Sequence, residues 1–540
     1  MTSKKIYSSS KELLSEESWT YDTFHLRSHQ DEKGLLTTFF YDGSGNKIKE
    51  ISGNRETSYT YDALGFLETT TCGDQAQVEI HNVQGSVLEK WEKKGSHVEN
   101  HIKLHYNAKG LLEKTERITS QETVYDLFSY DAEGRLCRHE DPLHAVTKFE
   151  YYPVRNKLGQ MVFCKVTIND LGCKTLEIDD ATNKIVSREK QDAQGRTLSL
   201  EEFFYDRAGN RTKRESFVYL KDTPLKQVTH LSKYDSMGRV VQEIEAGKKT
   251  TSYSYDPRGR LKTKTLPSGI SFNYEYDGIN RILALESSDH TVHYLYQYKN
   301  TQYGYHMEVK DLLKDRMIHR SYNAFGQMIE ERSSLWSLFW DYDQLGRCTR
   351  FTLPDDSFIT HEYFDGHLYS VTRRNRYDSP LYAHTYLQRD PNGHIEEEEL
   401  IYQLAKIHTS HDVLERPILQ TSPWNTHEVV YDSLARIQES RHSLLESKSI
   451  SYDPLNQLTQ DGEKTYLFDS MGNSSLYETN DCNELLATPE SKLIYDLDGN
   501  LIERILLDHK ILYSYDALGR LTSITYPENR QTIYSYDPFS

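Results

Sequence analysis

This chain of 540 residues lacks most of the features that usually disclose a function. It has six cysteines, at positions 72, 137, 164, 173, 348 and 482, and no two form a C-x-x-C pair. That spacing excludes zinc-ribbon and thioredoxin-like sites, and six cysteines in so long a chain make no disulfide scaffold. Free buried thiols are expected. Bases are scarce: 64 Lys and Arg face 82 Asp and Glu, a net charge of −18, opposite in sign to a general nucleic-acid binder. No stretch approaches the ~18 apolar residues of a membrane-spanning helix. The first residues, MTSKKIYSSSKELLSEESW, contain no apolar h-region of a signal peptide. The expectation is a cytoplasmic chain until export by a non-Sec route, or secretion as part of a larger assembly. Hydrophobic residues make up only 36 %. Even with glycine added, the apolar share stays below the usual value of roughly 45–50 %.

Tyrosine, by contrast, is abundant, at 40 residues, and aromatics reach 12 %. Disordered chains are poor in aromatics, so the chain is ordered. An ordered, aromatic-rich chain with a modest apolar fraction implies thin sheets with wet faces rather than a thick core.

The tyrosines are periodic. The pentad Tyr-(Asp/Asn)-x-x-Gly occurs eleven times, opening at Tyr41, Tyr61, Tyr106, Tyr130, Tyr205, Tyr234, Tyr255, Tyr322, Tyr342, Tyr495 and Tyr515. Adjacent copies are 20 or 21 residues apart. Such a period means one supersecondary unit stacked in line. Relaxed copies start near Tyr21, His81, Ile168, Gln191, Tyr276, Phe364, Arg389, Tyr431, Tyr452, Phe468 and Tyr536. Together they carry the array from about residue 20 to the last residue. The expected organisation is one continuous repeat domain over 20–540, with 1–19 an extension that forms a short helix or a frayed cap. The stretches 151–190 and 298–321 are the least regular and predict insertions or bends.

Local chemistry gives the repeat its shape. Tyr253 and Tyr255 are two apart, on one face of an extended strand. Asp256-Pro257-Arg258-Gly259 then fits a type I turn. Aspartate caps backbone N–H groups there, proline presets φ, and glycine takes φ > 0 and starts the return strand with a bulge. Leu266-Pro267-Ser268-Gly269 supplies a second turn, a class that recurs at Leu353-Pro354-Asp355-Asp356 and Tyr526-Pro527-Glu528-Asn529. One repeat is therefore two short strands and two reverse turns. Proline recurs at the second turn position in Asp390-Pro391, Asp453-Pro454 and Asp537-Pro538. Asn280 and Asn456 replace the glycine, as the next-best residue for φ > 0. Ala435 breaks the rule and predicts local strain or a different turn.

The pattern Tyr-Asp-x-x-Gly-(Arg/Asn)-Leu/Ile resembles the YD repeats of the Rhs family. Tyr130-Asp131-Ala132-Glu133-Gly134-Arg135-Leu136 and Tyr515-Asp516-Ala517-Leu518-Gly519-Arg520-Leu521 show it well. The same repeats build the shells of insecticidal Tc-toxin BC components and of teneurins. The resemblance implies an all-β fold: antiparallel β-hairpin repeats forming a long spiralling sheet, a partial or complete hollow shell. It implies a non-catalytic wall around a polypeptide cargo or joined to a further shell segment. The alternative is an exposed scaffold that binds glycans or cell-surface proteins. Bacterial members close the shell with a core whose aspartates cleave off a toxin. Neither core nor toxin is recognisable here, and the sequence ends within a turn at Tyr536-Asp537-Pro538-Phe539-Ser540. It therefore reads as part of a larger shell, a split gene product or a degenerate member.

The residues expected to build the turns are Tyr41, Asp42 and Gly45; Tyr61, Asp62 and Gly65; Tyr130, Asp131 and Gly134; Tyr205, Asp206 and Gly209; Tyr234, Asp235 and Gly238; Tyr255, Asp256 and Gly259; Tyr342, Asp343 and Gly346; Tyr495, Asp496 and Gly499; and Tyr515, Asp516 and Gly519. So many equivalent Tyr–Asp pairs cannot all be active sites. The arginines after the glycines (135, 196, 239, 260, 347 and 520) are expected to stack on a tyrosine or pair with an aspartate. His361-Glu362 with His367 has the wrong spacing for a zinc-protease helix. Asp496-Leu497-Asp498-Gly499-Asn500 lacks the remaining ligands of a calcium loop. Glu396 to Glu399 reads as a solvated edge. Asp355-Asp356 and Asp179-Asp180 are the only close aspartate pairs considered for self-cleavage. No catalytic, cofactor or metal site is expected, and the chain is read as a non-enzyme.

Overall fold

The computed structural model describes residues 2–7, 13–118, 122–301 and 304–539. These residues form 49 strands and three single-turn 3-10 segments, with no α-helix among them. Every strand pairing is antiparallel between chain neighbours. A first sheet of 42 strands runs from Thr2 to Thr465, and a second of seven from Glu478 to Ile533. The long antiparallel strip expected from the repeat is the fold.

Each pentad forms the turn its chemistry predicts. In the copy at Tyr255, the Asp256 N–H donates to Arg260 O at 2.9 Å, and the Gly259 N–H donates to Asp256 O at 2.9 Å. Gly259 has φ +85°, and the strand register shifts by one residue at Tyr255, the bulge that starts the return. Asn280 and Asn456 hold φ of 70° and 66° in the same turn. Ala435 keeps the turn too, at φ 62°, so the broken rule is met by backbone strain and not by a different turn.

Three regions depart from the sequence reading. Of residues 1–19, expected as a helix or frayed cap, 1 and 8–12 lie outside the described residues; the others contribute strands Thr2–Tyr7 and Leu13–Tyr21, paired from Thr2↔Trp19 onward. This antiparallel pair joins backbone groups that a helix would leave unpaired on the first strand of the sheet. The irregular stretch 151–190 begins with the long hairpin Val146–Arg155 and Met161–Ile168. The break between the sheets, at 466–477, is unmarked in the sequence. Isolated bridges stand there instead, Phe468↔Ser474 and Leu220↔Asp469.

The strip has two edges. One carries the pentad turns; call it the YD edge. The other carries the alternate turns, the return edge. Two relaxed copies, at Asn169–Gly172 and Asp192–Gly195, lie on the return edge, because the chain crosses the strip once more between them and each neighbouring pentad. The strip winds on itself, and the return edge of one winding seats on the YD edge of the next. Arg55 Nη2 donates to Leu345 O at 2.8 Å, and the Ser96 N–H donates to Asp365 Oδ1 at 2.6 Å. Further along, the Ser268 N–H donates to Asp498 Oδ1 at 2.8 Å and the Ala517 N–H to Thr291 Oγ1 at 2.8 Å. Turns that meet lie about 23 strands apart; at ~4.8 Å per strand the girth is on the order of 110 Å and the width about 35 Å.

The accessible surface is 31311 Å² for 63.1 kDa, against about 20,000 Å² for a compact protein of that mass. The excess is what a single-layer wall exposes on its two faces. Both apolar clusters lie at the seam and draw on two windings. Ala517 and Phe539 pack with Phe272, Val292 and Val309, while Met471 and Cys482 pack with Val218, Val228 and Ala246.

The seam can be weighed against the free edge at one repeat position. Leu345 packs over Gly73 of the previous winding, so close that a Cβ on that glycine would lie 2.6 Å from it. Leu64, in the same place in its turn, is 60 % exposed. Leu345→Ala is expected to cost about 1–2 kcal/mol, and Leu64→Ala less than about 0.5 kcal/mol. Urea or thermal melts of both variants check this; equal costs would remove the seam as a source of stability.

Candidate functional site

The residues that recur are joined by a stitch between repeats. The aspartate at the head of each turn accepts two backbone N–H groups through one oxygen; for Asp235 these come from Met237 and Arg239 at 2.9 and 3.0 Å. Its second oxygen accepts Arg239 Nε at 2.7 Å. The guanidinium of Arg239 then lies over the ring of Tyr255 in the next repeat, 4.5 Å from its centre. The Tyr255 hydroxyl donates to Val240 O at 2.7 Å. One repeat's Asp and Arg, and the carbonyl after the Arg, thus grip the next repeat's Tyr.

The stitch repeats along the strip. Arg260, Arg347, Arg416, Arg436 and Arg520 each pair with the aspartate of their own turn. They cover Tyr276, Tyr363, Tyr431, Tyr452 and Tyr536 respectively. Arg135 follows the same rule with Asp131 and Tyr151. Arg196 pairs with Asp192, on the return edge, and reaches Asp222 instead of a ring. The two roles foreseen for these arginines, stacking and pairing, are therefore met together in most of them. Asparagine takes the arginine's place at Asn46, Asn210 and Asn500, donating to Asp42, Asp206 and Asp496. Hydroxyls of Tyr41, Tyr61, Tyr130, Tyr205, Tyr234, Tyr342 and Tyr515 reach the carbonyls of Leu26, Lys47, Leu112, Ile185, Arg211, Met328 and Leu501. Strand alternation places the tyrosine on a sheet face; the hydroxyl's reach to the preceding repeat carries no sequence signal, since its acceptor is a backbone atom.

Other candidates are dispersed by the fold. Glu362 accepts Ser370 Oγ at 2.8 Å, while His367 turns to Glu99 of the previous winding, 2.7 Å away. His361 is left with its Nδ1 unpartnered, and burial lowers its pKa. Asp496 is occupied by its own turn and Asp498 by Ser268. Among the described residues no group of three His, Cys, Asp or Glu is placed to hold a metal. All six cysteines are free. Glu396 to Glu399 do not stand on a solvated edge: they are half-buried within strand Ile395–Leu400, where Glu397 meets Lys406 at 2.5 Å and Glu398 meets His384 at 2.7 Å. Asp355 caps its turn through Ser357, and Asp180 through Thr182 and Lys184. Burial holds the Asp179 carboxyl above its ordinary range.

Two features were invisible in the sequence. Glu99 is 2 % exposed at the seam, with Lys94 Nζ at 2.9 Å and His367 beside it. A shift of strand register between Glu99 and Ile102 marks the place. On the YD edge, the tip of the long hairpin curls over its neighbours, with Asn156 donating to Asp179 O and Lys157 pairing with Glu202. It covers a cavity of about 410 Å³ walled by Ile178, Val186, Phe203 and Tyr205.

Comparison with known proteins marks the same repeats. The RHS Repeat family matches residues 234–271, 255–292 and 513–540, the segments that hold the stitches of Asp235, Asp256 and Asp516. The chain carries RHS repeats. This RHS-repeat chain is 21 % identical over 466 residues to the double-stranded DNA deaminase toxin A of Burkholderia cenocepacia (strain H111), covering 76 % of this chain and 30 % of that protein. It is 24 % identical over 344 residues to teneurin-4 of Mus musculus, covering 58 % and 11 %. Among solved structures, the TcdB2–TccC3 complex aligns with 97 % of the chain and 38 % of its own, at 11 % identity and a TM-score of 0.45. A Tc holotoxin pore from Photorhabdus luminescens gives 96 %, 38 %, 10 % and 0.45. The RHS-repeat chain thus spans well under half the length of each of these relatives.

The stitch makes two predictions. Tyr255→Phe removes one donor and leaves the Val240 carbonyl unpaired, and is expected to cost about 1 kcal/mol; a variant as stable as the parent in a urea melt would refute the hydroxyl's role. The second concerns acid. The Arg239 side chain and backbone N–H hold the Asp235 carboxyl below its ordinary range, and the Asn46 backbone N–H and side chain do the same for Asp42. Backbone N–H groups of Phe24 and His25 hold Asp22 down to about 2. A depressed carboxyl stabilises the fold fully above its unfolded pKa, and that stability is lost as pH falls through the folded value. The melting temperature is therefore expected to drop as pH falls below about 4 and to go on dropping towards about 2. Thermal melts across that range check it, and a flat profile would contradict the capping role.

Proposed function

We propose that this chain is the non-catalytic wall of an Rhs/Tc-type shell that encloses a polypeptide cargo. The observation that carries this reading is the surface excess of a sheet wound edge to edge, half again the area of a compact protein. A wall built this way has an inside. With a width of about 35 Å and a sheet layer of ~10 Å, the inner space is about 25 Å across. A folded domain of about 100 residues, with a radius of gyration near 13 Å, does not fit such a space. A cargo held there stays extended or partly folded, so the wall acts by denying room. The relative named a deaminase toxin is consistent with a wall that accompanies an active segment, although the chain aligns with only 30 % of that protein.

The test is a small nuclease domain fused without a linker to the carboxyl end. Inside the wall it is expected to be inactive and resistant to protease, and to recover activity once released by denaturation and refolding after cleavage. A fused domain as active and as protease-sensitive as the free domain would sink the proposal.

A further inference from the structure

The long hairpin on the YD edge overhangs its sheet. Its strands Val146–Arg155 and Met161–Ile168 pair through to Arg155↔Met161, but the next strand, Lys174–Asp179, pairs only as far as Cys164. The overhang folds back over its neighbours instead of standing free. Asn156 Nδ2 donates to Asp179 O at 3.4 Å, and the Ala181 N–H donates to Gln160 Oε1 at 3.3 Å. Lys157 reaches past strands Lys174–Asp179 and Ile185–Gln191 to pair with Glu202, which is buried. The tip is thus a flap tied down at three points, and it closes over the cavity of about 410 Å³. That volume lies within the range of small-molecule sites. Ile178, Val186 and Phe203 give the cavity an apolar wall.

The charged groups of the lining decide what the cavity accepts. Three are acids and three are bases. Each acid is already engaged. Asp180 accepts the Thr182 and Lys184 N–H groups and the Thr182 hydroxyl. Asp206 accepts the Asn210 N–H and Nδ2 at 2.9 and 3.0 Å. Glu202 has Lys157. Among the bases, Lys157 is spent on Glu202. Arg155 and Arg207, both exposed, have no hydrogen bond, ion pair or ring contact among the described residues. A guanidinium carries five N–H donors and no acceptor. The unused polar capacity of the lining is therefore cationic and donor-only. A cation finds no free acceptor carboxylate there, whereas an anion gains charge-assisted hydrogen bonds.

We propose that this cavity binds a small amphipathic monocarboxylate, with its apolar body under the flap against Ile178, Val186 and Phe203 and its carboxylate at the arginines of the lining, Arg155 and Arg207. A single acyl chain of medium length suits the volume, and a two-chain lipid does not. The flap joins strands that otherwise touch only their neighbours in the ladder. A ligand held beneath it binds the native wall and not the unfolded chain, so it raises the melting temperature. The site belongs to the wall itself and does not depend on an enclosed cargo.

Calorimetric titration of the full chain with decanoate, kept below its micelle threshold, tests this, with 1-decanol as the uncharged chain of equal length. The parent is expected to bind one decanoate saturably and to melt at a higher temperature in its presence. Arg155→Gln with Arg207→Gln is expected to weaken decanoate about tenfold and to leave decanol unchanged. Both side chains are exposed, so the circular dichroism of this variant is expected to match the parent. Ser187 also lines the cavity, and Ser187→Trp, which puts a ring into it, is expected to abolish binding of both compounds. If that variant does not fold, the arginine variant still decides. A parent with no saturable binding, an arginine variant with the parent's affinity for decanoate, or a folded Ser187→Trp variant that binds like the parent would overturn the proposal. The last result would mean binding to the exposed apolar surface only.

Discussion

The structure depends on one reach: a tyrosine hydroxyl must find a carbonyl in the preceding repeat. In a flat antiparallel strip each strand knows only its two neighbours, and register slips are cheap when neither face is deeply buried. The hydroxyl of Tyr255 on Val240 O, under the guanidinium of Arg239, ties the start of one YD turn to the end of the YD turn before it, between neighbouring strands. A slip by one residue would put the ring on the opposite face and break the contact. The aspartate serves the same end, since its carboxylate fixes both the turn and the arginine that lies on the ring. The pentad is thus a device for register.

Register at every repeat permits a wall without a core. Most domains gain specificity from packed apolar interiors, but here most residues on both faces stay partly exposed. The stabilising contacts are ladder hydrogen bonds, the stitches, and the seam. The seam matters because a strip has edges in a second sense. Besides its first and last strands, it has two rows of turns, and these rows meet when the strip winds. Both apolar clusters lie along that meeting. Burial is spent where the local repeat cannot help.

This division explains what the sequence disclosed. The YD turn is local, with every partner within five residues, so Asp256, Arg258 and Gly259 announce themselves. The antiparallel order and the turn geometry followed from them. Even Ala435 was legible as a strained position. The seam was not, because Arg55 and Leu345 O are joined across 290 residues with no pattern to relate them. The same holds for Glu99 and His367. The first strand was missed for another reason: residues 2–7 lack a pentad and pair only because a sheet edge was there to be paired. The expected separation of Glu396 to Glu399 onto water failed because bases from strands on either side, Lys406 and His384, cannot be read from the acidic run itself.

The two edges therefore carry different kinds of information. A YD turn serves the repeat next to it, so its residues are held to one solution wherever they occur. A return turn serves the winding beneath it, so its residues differ from copy to copy with whatever they meet. Gly73 is small because Leu345 sits on it, and Asp74 lies 3.6 Å from Arg347. The Tyr219 N–H meets Ser470 Oγ because the second winding breaks its sheet there. The regular half of the repeat sets how the strip is built, and the irregular half sets where one winding comes to rest on another. A count of pentads alone would thus describe a strip of any length and girth. What fixes the girth near 23 strands is the matching of variable return turns to particular YD turns, the part of the sequence that looks least like a motif.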